Sequence, residues 1–182
     1  MLKRTIGLSL VTIALIIVII NNSSLKKDLK NHNQQITNFK QETTRDKEKE
    51  KTLIPNDYLG YLEIPKYNIK RLIKQGTTTN IINQNIIGLY NNNVSLESES
   101  GQIILAGHNN KYVFKNLSKV KINDEIIITT PNNYYKYVVK NLHIINASDY
   151  THFKINSKIK ELILVTCIKD KHHRLLIIAY PK

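Results

Sequence analysis

The sequence predicts an all-β domain, either a closed barrel or a sandwich, behind an N-terminal membrane anchor. From about residue 56 onward, the chain breaks into short runs rich in Ile, Val and Tyr, separated by Asn, Gly and Pro. No long periodic helical segment interrupts them, and 41% of the 182 residues are hydrophobic, which suffices for one packed core. We therefore expect three regions, namely a membrane anchor (1–25), a polar stalk or linker (26–55) and a β-domain (56–182).

The anchor is predicted from an uninterrupted apolar run. Thr5 to Leu25 contains no charged residue, and about 21 residues are close to the length that a helix needs to cross a bilayer. A cleaved signal peptide is the competing interpretation, but the run ends in "NNSS" without a small-x-small cleavage pattern. We expect an uncleaved, single-pass anchor through residues 5–25.

The stalk is polar, with only a weak helical pattern. Side chains at spacings of four and three residues cover two heptads: Leu25, Leu29, His32, Ile36 and Phe39. So few repeats, with a histidine among them, predict a solvated stalk rather than a coiled coil. The charge run "RDKEKEK" (45–51) is typical of a solvated linker, and Pro55 marks the edge of the domain.

The β-domain contains seven runs that predict strands, and an eighth strand fits the length. The runs are 59–64, 86–90, 102–108, 125–129, 134–145, 161–167 and 174–180. One short helix is expected over 113–120. Seven or eight strands in about 125 residues favour a barrel or a sandwich.

The net charge of +13 is compatible with an anionic partner, but it is spread along the chain. The sequence is rich in Lys, Asn and Ile, a bias that an AT-rich genome produces without any functional cause. No RNA-binding signature with stacked aromatic residues is present, so we expect no nucleic-acid partner. The single cysteine excludes an internal disulfide and a multi-cysteine zinc site.

The segment "LVTCIKDKHHR" (164–174) holds that cysteine, Cys167, at the end of an apolar strand. Arg174 begins the next strand, so antiparallel pairing would bring the two residues together. A third strand ends in "LAGH", with His108 at its rim. A thiolate nucleophile, a histidine acid–base and an arginine for the oxyanion would make an acyl-transfer site. The alternative is a buried cysteine without function, which is common.

The sequence resembles the sortase family over about residues 57–180. "LVTC" is similar to the end of the sortase signature Thr-Leu-x-Thr-Cys, although Ile163 replaces its leading Thr. "LAGH", followed by a Phe-x-x-Leu turn (114–117), resembles the histidine segment. "NDEIIITT" resembles the Gly-Asp-x-Ile segment, with Asn123 in place of Gly. "GYLEIPKYNI" (60–69) and "RLLIIA" resemble the opening of the catalytic domain and the arginine strand.

The resemblance implies a closed eight-stranded β-barrel with one or two short helices and a cysteine transpeptidase. Cys167 would attack a Thr–Gly-type bond of an LPxTG-like sorting signal and form a thioacyl enzyme. His108 would protonate the leaving amine and then activate the incoming one. Arg174 would hold the substrate backbone or the oxyanion, and Thr166 would bind substrate or support the arginine.

The resemblance also implies partners and a location. The substrates would be sorting signals of secreted surface proteins, and the acceptor a cell-wall precursor or peptidoglycan amine. The enzyme would lie at the cell membrane of a Gram-positive bacterium, with an extracellular catalytic domain. The short segment between 145 and 161 and the seven-residue step from Cys167 to Arg174 look more like class D than class A or B.

Two other functions remain open at this point. One is a cysteine hydrolase that uses the same residues with water as acceptor, and the other is a catalytically silent, anchored envelope-binding module. We expect no metal and no other cofactor. His172 and His173 are adjacent on an extended chain and would point apart, while His143 and His152 are expected to be structural or exposed.

Overall fold

Eight strands close into one barrel in the computed structural model, which describes residues 23, 26–31, 33–38, 58–90, 94–154, 158–168 and 172–182. The strand order around the barrel is β1-β2-β3-β4-β7-β8-β6-β5. Neighbours are antiparallel except for β2–β3 and β4–β7, which are parallel. The closed eight-stranded barrel is therefore confirmed, and the sandwich is excluded. The strands are β1 (Tyr58–Ile64), β2 (Ile69–Gln75), β3 (Ile87–Leu89), β4 (Gln102–Ala106), β5 (Glu125–Thr129), β6 (Tyr134–Asn146), β7 (Glu161–Cys167) and β8 (His173–Pro181).

Between the described strands lies one short α-helix, α1 (Thr79–Ile82), which agrees with the one or two short helices that the family resemblance implies. Its position was not predicted, because four residues are too few to show a helical period. The helix expected over 113–120 is wrong in extent, since only Leu117–Lys119 form a 3-10 turn. Phe114 and Leu117 are both fully buried, and their three-residue spacing is that of a tight turn.

Three adjacent strands, β4, β7 and β8, are buried on both faces. Successive side chains of a strand point to opposite faces. Leu162 and Leu164 pack into the barrel interior, whereas Ile163 belongs to a second cluster on the outer face. The connection that follows β6 covers this outer cluster with Phe153. Burial on both sides explains the unbroken apolar runs in these three strands.

On the opposite side of the barrel, a helical segment comprising residues 26–31 and 33–38 packs on β1 and β2. Ile36 is only 2% exposed and lies in a cluster with Tyr61, Leu72 and Ile86. This part of the predicted stalk is therefore packed against the barrel at Ile36 rather than solvated throughout. The sequence pattern that placed Ile36 on an apolar helix face was correct, but it gave no sign of the surface that covers that face.

The predicted membrane anchor, residues 1–25, lies outside the described residues except for Ser23. Within the described part of the chain, no helix is long and apolar enough to span a bilayer.

A polar cluster around Asp124 joins the turn after β1 to the segment before β5. The carboxylate accepts hydrogen bonds from Lys66 Nζ (2.6 Å), the Tyr67 hydroxyl (2.6 Å) and the backbone N–H of Lys121 (2.8 Å). The preceding Asn123 has a φ of 72°. Asparagine tolerates this left-handed backbone almost as well as glycine does, which explains why Asn123 can replace the family's glycine here.

Candidate active site

Cys167 and Arg174 face each other across two neighbouring strands. Cys167 is the last residue of β7, and the antiparallel register pairs it directly with Arg174 near the start of β8. The N–H of Ile168 donates to the His173 carbonyl at 3.2 Å, which extends this pairing one step past the strand end. Directly opposite residues in such a pair have Cβ atoms about 4.5–5.5 Å apart. The register thus places the two residues side by side, as the sequence predicts.

The parallel pairing of β4 with β7 places His108 at the same end of the barrel as Cys167 and Arg174. The register pairs Gln102 with Glu161 and continues without a shift to Ala106 and Val165. If this register is continued for two residues beyond β4, His108 lies opposite Cys167. All three side chains are partly exposed, and the strand alternation assigns Cys167 and Arg174 to the outer face. The fold therefore gathers the three predicted residues at one end of three adjacent strands.

The backbone around His108 is fixed on both sides. The N–H of Gly107 donates to the Val165 carbonyl at 3.1 Å, and the hydroxyl of Thr166 donates to the Gly107 carbonyl at 2.7 Å. After the histidine, the N–H of the buried Phe114 donates to the His108 carbonyl at 3.1 Å. A Cβ on Gly107 would lie 2.8 Å from atoms of both Val113 and Phe114, so glycine is required here by close packing.

Thr166 is connected to the segment that carries His108 by this hydrogen bond to the backbone. Its side chain is 3% exposed and lies one residue before Cys167. Because its hydroxyl donates to Gly107, it links the cysteine strand to the residue that precedes His108. Contact of Thr166 with substrate stays a prediction.

The imidazole of His108 has a side-chain partner that the sequence did not suggest. Its Nε2 lies 2.9 Å from Oδ1 of Asn83, the residue that ends α1. Two positions further on, Oδ1 of Asn85 accepts a hydrogen bond from Nδ2 of Asn110 at 3.1 Å. The chain is rich in asparagine, so neither residue stands out in the sequence, and only the tertiary fold distinguishes them.

A groove of about 470 Å³ runs along the outer face and reaches Arg174. Its floor is aliphatic and comes from three strands, with Ile104 and Ala106 from β4, Val165 from β7 and Ile145 from β6. The groove therefore suits an extended, largely apolar peptide that ends at the guanidinium.

One wall of the groove is the connection after β6, which carries Tyr150 and Phe153. The buried side chain of Gln102 holds this connection in place. Its Nε2 donates to the His152 carbonyl at 3.0 Å and to Glu161 Oε2 at 2.9 Å, while its Oε1 accepts from the N–H of Lys154. Gln102 was predicted only as a strand residue, and its polar side chain in a buried strand is the signal that could have identified it.

The rim of the groove carries one carboxylate, Asp149. The backbone N–H and the hydroxyl of Thr151 both donate to it, and they hold its pKa below the ordinary value of an aspartate. Among the described residues that line the groove, Arg174 is the cation and Asp149 is the anion. No group of three or more His, Cys, Asp or Glu residues within the described ranges could hold a metal ion.

The arrangement can perform acyl transfer. Cys167, His108 and Arg174 lie at the end of three adjacent strands, and of the three Arg174 also lines the groove. These residue types could serve as nucleophile, proton donor and oxyanion donor. A family model described as the Sortase domain matches residues 62–182.

Solved sortase structures resemble this barrel. Sortase C1 from Streptococcus agalactiae is 28% identical with a TM-score of 0.66, and the match covers 72% of this chain and 70% of that one. Sortase C1 from Streptococcus suis is 25% identical with a TM-score of 0.63, covering 69% and 73%. A lid mutant of sortase A from Corynebacterium diphtheriae is 25% identical with a TM-score of 0.61, covering 69% and 70%. The comparison with curated proteins found no match.

Proposed function

Because this chain belongs to the sortase family, whose members are cysteine transpeptidases, we propose that it cleaves an LPxTG-like sorting signal and joins the released carboxyl end to a cell-wall amine. The observation that carries the proposal is that His108, Cys167 and Arg174 lie side by side at the same end of β4, β7 and β8. The aliphatic groove that leads to Arg174 would hold the apolar residues of the signal.

In the first half-reaction, the Cys167 thiolate attacks the carbonyl carbon of the scissile peptide bond, and a C–S bond forms. The negative charge moves to the carbonyl oxygen, where the planar guanidinium of Arg174 can donate two hydrogen bonds. His108, as imidazolium, then gives its proton to the leaving nitrogen as the C–N bond breaks. The products are a thioester on Cys167 and a free amine.

In the second half-reaction, an incoming amine attacks the thioester carbonyl. His108, now neutral, takes the proton that the amine loses, and Arg174 again stabilises the oxyanion. Collapse of this intermediate forms the new C–N bond and releases Cys167 as a thiolate. The imidazolium and the thiolate are both restored, so the cycle needs no external acid, base or cofactor.

We also propose the finer assignments that the sequence predicts. Residues 5–25 anchor the enzyme in the cell membrane of a Gram-positive bacterium, the catalytic domain is extracellular, and its partners are surface-protein sorting signals and a peptidoglycan or precursor amine. The short connection between β6 and β7 and the seven-residue step from Cys167 to Arg174 support a class D-like enzyme. Thr166 supports the site through Gly107.

The decisive experiment incubates a form that starts at residue 26, and so keeps Ile36, with a library of LPxTG-like peptides. Mass spectrometry should find an acyl adduct on Cys167, and an added amine such as oligoglycine or a diaminopimelate-containing peptide should increase turnover. Cys167→Ala is the matched control and should form no adduct and no product, with unchanged thermal stability. Turnover that amines never increase would indicate a hydrolase, and turnover by the alanine variant would remove the nucleophile assignment.

A further inference from the structure

The residues after α1 form a two-point contact with the segment that carries His108. Asn83 ends α1, where its N–H donates to the Thr79 carbonyl at 3.0 Å, and its side-chain Oδ1 lies 2.9 Å from His108 Nε2. Asn85, with a φ of 59°, accepts from Asn110 Nδ2 at 3.1 Å. The two contacts join residues separated by the same 25 positions, so the two segments run alongside each other in a fixed register.

The second contact is itself held by the backbone. Oδ1 of Asn110 accepts hydrogen bonds from the N–H groups of Tyr112 (2.9 Å) and Val113 (3.0 Å). Since its oxygen is engaged in this way, the amide nitrogen of Asn110 is the group that faces Asn85. The turn after His108 is therefore ordered by Asn110 and attached to the α1 segment by Asn85, which leaves Asn83 at a defined position beside the imidazole.

The chemistry of an amide oxygen decides the protonation pattern of the ring. Asn83 Oδ1 has only lone pairs and can only accept a hydrogen bond. An amide oxygen 2.9 Å from His108 Nε2 favours the neutral tautomer that carries its hydrogen on Nε2, and the imidazolium carries a hydrogen there as well. The proton that a reaction takes up or gives away is then the one on Nδ1.

Resting on the proposed transpeptidase function, we propose that Asn83 is a positioning residue that engages Nε2–H of His108 and thereby assigns proton transfer to Nδ1. The same contact restricts rotation of the ring about its Cβ–Cγ bond. A neutral amide does this without adding a negative charge, so the imidazole remains able to alternate between its two protonation states during each catalytic cycle.

The test compares three variants with the wild type in the full-length chain. Asn83→Ala removes the acceptor, Asn83→Asp keeps an acceptor at the same place, and Asn80→Ala alters an exposed asparagine of the same helix as the matched control. The readouts are kcat/KM with a sorting peptide, its pH profile, and NMR of the His108 ring with ¹⁵N labelling, assigned by comparison with His108→Gln.

Asn83→Ala should lower kcat/KM by about 10-fold or more, part of the 10²–10⁴-fold that a positioned acid–base contributes. The Nε2–H resonance of His108 should be visible in the wild type and lost to exchange with water in this variant. Asn83→Asp should retain that resonance and move the activity profile to higher pH, because the carboxylate favours the imidazolium. Asn80→Ala should match the wild type in every readout.

The NMR readout separates this proposal from the proposed function. A wild type that shows the protected Nε2–H but processes no peptide would overturn the transpeptidase assignment and leave the contact established. An active wild type whose Asn83→Ala variant keeps both full activity and the ring resonance would overturn the positioning role of Asn83. An unchanged pH profile in Asn83→Asp would also contradict it.

Discussion

The two sides of this barrel are stabilised by different interactions. On the site side, made of β4, β7 and β8, aliphatic residues fill both faces, and the reactive polar groups occur at the strand ends. On the helix side, made of β1, β2 and the helical residues 26–31 and 33–38, one apolar cluster is supplemented by charged contacts. Lys70 lies 5.0 Å from the ring centre of Tyr61 and 2.7 Å from Glu63, and Lys66 pairs with Asp124.

This difference predicts that residues important for activity and residues important for pH-dependent stability lie on different sides of the barrel. Aliphatic burial does not depend on pH, so the site side keeps its shape while His108 and Cys167 change protonation state. Charged contacts near the surface do depend on pH and salt, and they are placed where no predicted site residue lies. We therefore expect substitutions at the end of the site side to change activity without unfolding the barrel, and substitutions on the helix side to do the reverse.

Arg174→Lys should have the largest effect. Lysine keeps the positive charge but loses the planar pair of donors, so kcat/KM should fall by about 10²-fold, the scale of a lost oxyanion donor. The thermal midpoint should stay within about 2 °C of the wild type, because Arg174 is partly exposed at a strand end. Steady-state kinetics and calorimetry check both statements, and full activity of the lysine variant would contradict the role given to Arg174.

Ile36→Ala tests the helix side. The substitution removes a side chain that is 2% exposed from the cluster with Leu72 and Ile86, and we expect a loss of about 2 kcal/mol in the free energy of unfolding. Values of kcat/KM for the folded enzyme should not change. Thr37→Ala, at the next and exposed position, is the control. Urea denaturation that gives Ile36→Ala and Thr37→Ala the same stability would show that this helix does not stabilise the barrel.

The contact of Ile36 also shows where sequence reasoning reached its limit. An apolar spacing placed Ile36 on one helix face, but no local signal identified the partner surface on β1 and β2. The strand β2 was not predicted, because the charged Arg71 lies between the apolar residues Ile69 and Ile73 on the same strand face. Arg71 is nevertheless buried, since its guanidinium donates to the carbonyls of Tyr112 and Lys70.

The placement of His108, Cys167 and Arg174 at neighbouring strand ends could be predicted, but their partners could not. His108, Cys167 and Arg174 lie in motifs in which strand ends and residue types occur together within a few positions. Asn83 contacts His108 across 25 positions and Gln102 contacts Glu161 across 59 positions, and only the tertiary fold brings these residues together. Asparagine is abundant in this chain, so composition conceals Asn83.

Asp124→Asn should have a smaller effect than Ile36→Ala at neutral pH and a distinctive pH dependence. Burial opposes ionisation of Asp124, but the hydrogen bonds from Lys66, Tyr67 and Lys121 outweigh it and hold its pKa below the ordinary value. A lowered folded-state pKa stabilises the fold above the unfolded value, near pH 4, and this contribution is lost as the pH falls through the folded value.

The asparagine variant should therefore be less stable by about 1–2 kcal/mol at pH 7. Its difference from the wild type should shrink as the pH falls below about 4, because the unfolded wild-type chain takes up a proton there while the folded carboxylate does so only at lower pH. Urea titrations at pH 7 and at pH 3 measure the two differences. A difference that stays constant between these pH values would mean that the charge of Asp124 contributes nothing.

Tyr137→Phe should have the smallest effect, and it should be stabilising. Tyr137 lies in β6, which joins the two sides by pairing with β5 and β8. Its side chain is fully buried, and its hydroxyl has no hydrogen-bond partner among the described residues. Because removal of an unsatisfied buried hydroxyl relieves a desolvation cost, we expect a gain of about 0.5–1 kcal/mol at pH 7.

The stability of Tyr137→Phe at alkaline pH distinguishes the loss of a buried hydroxyl from a change in packing alone. Burial raises the pKa of Tyr137, with smaller contributions from Tyr135 and Glu99. In the unfolded chain a tyrosine ionises near pH 10, so the wild type should lose stability above that pH, whereas phenylalanine removes this loss. The advantage of Tyr137→Phe should therefore widen between pH 9 and pH 11 in urea titrations. An advantage that is absent at pH 7 and does not grow with pH would mean that the hydroxyl is satisfied in solution.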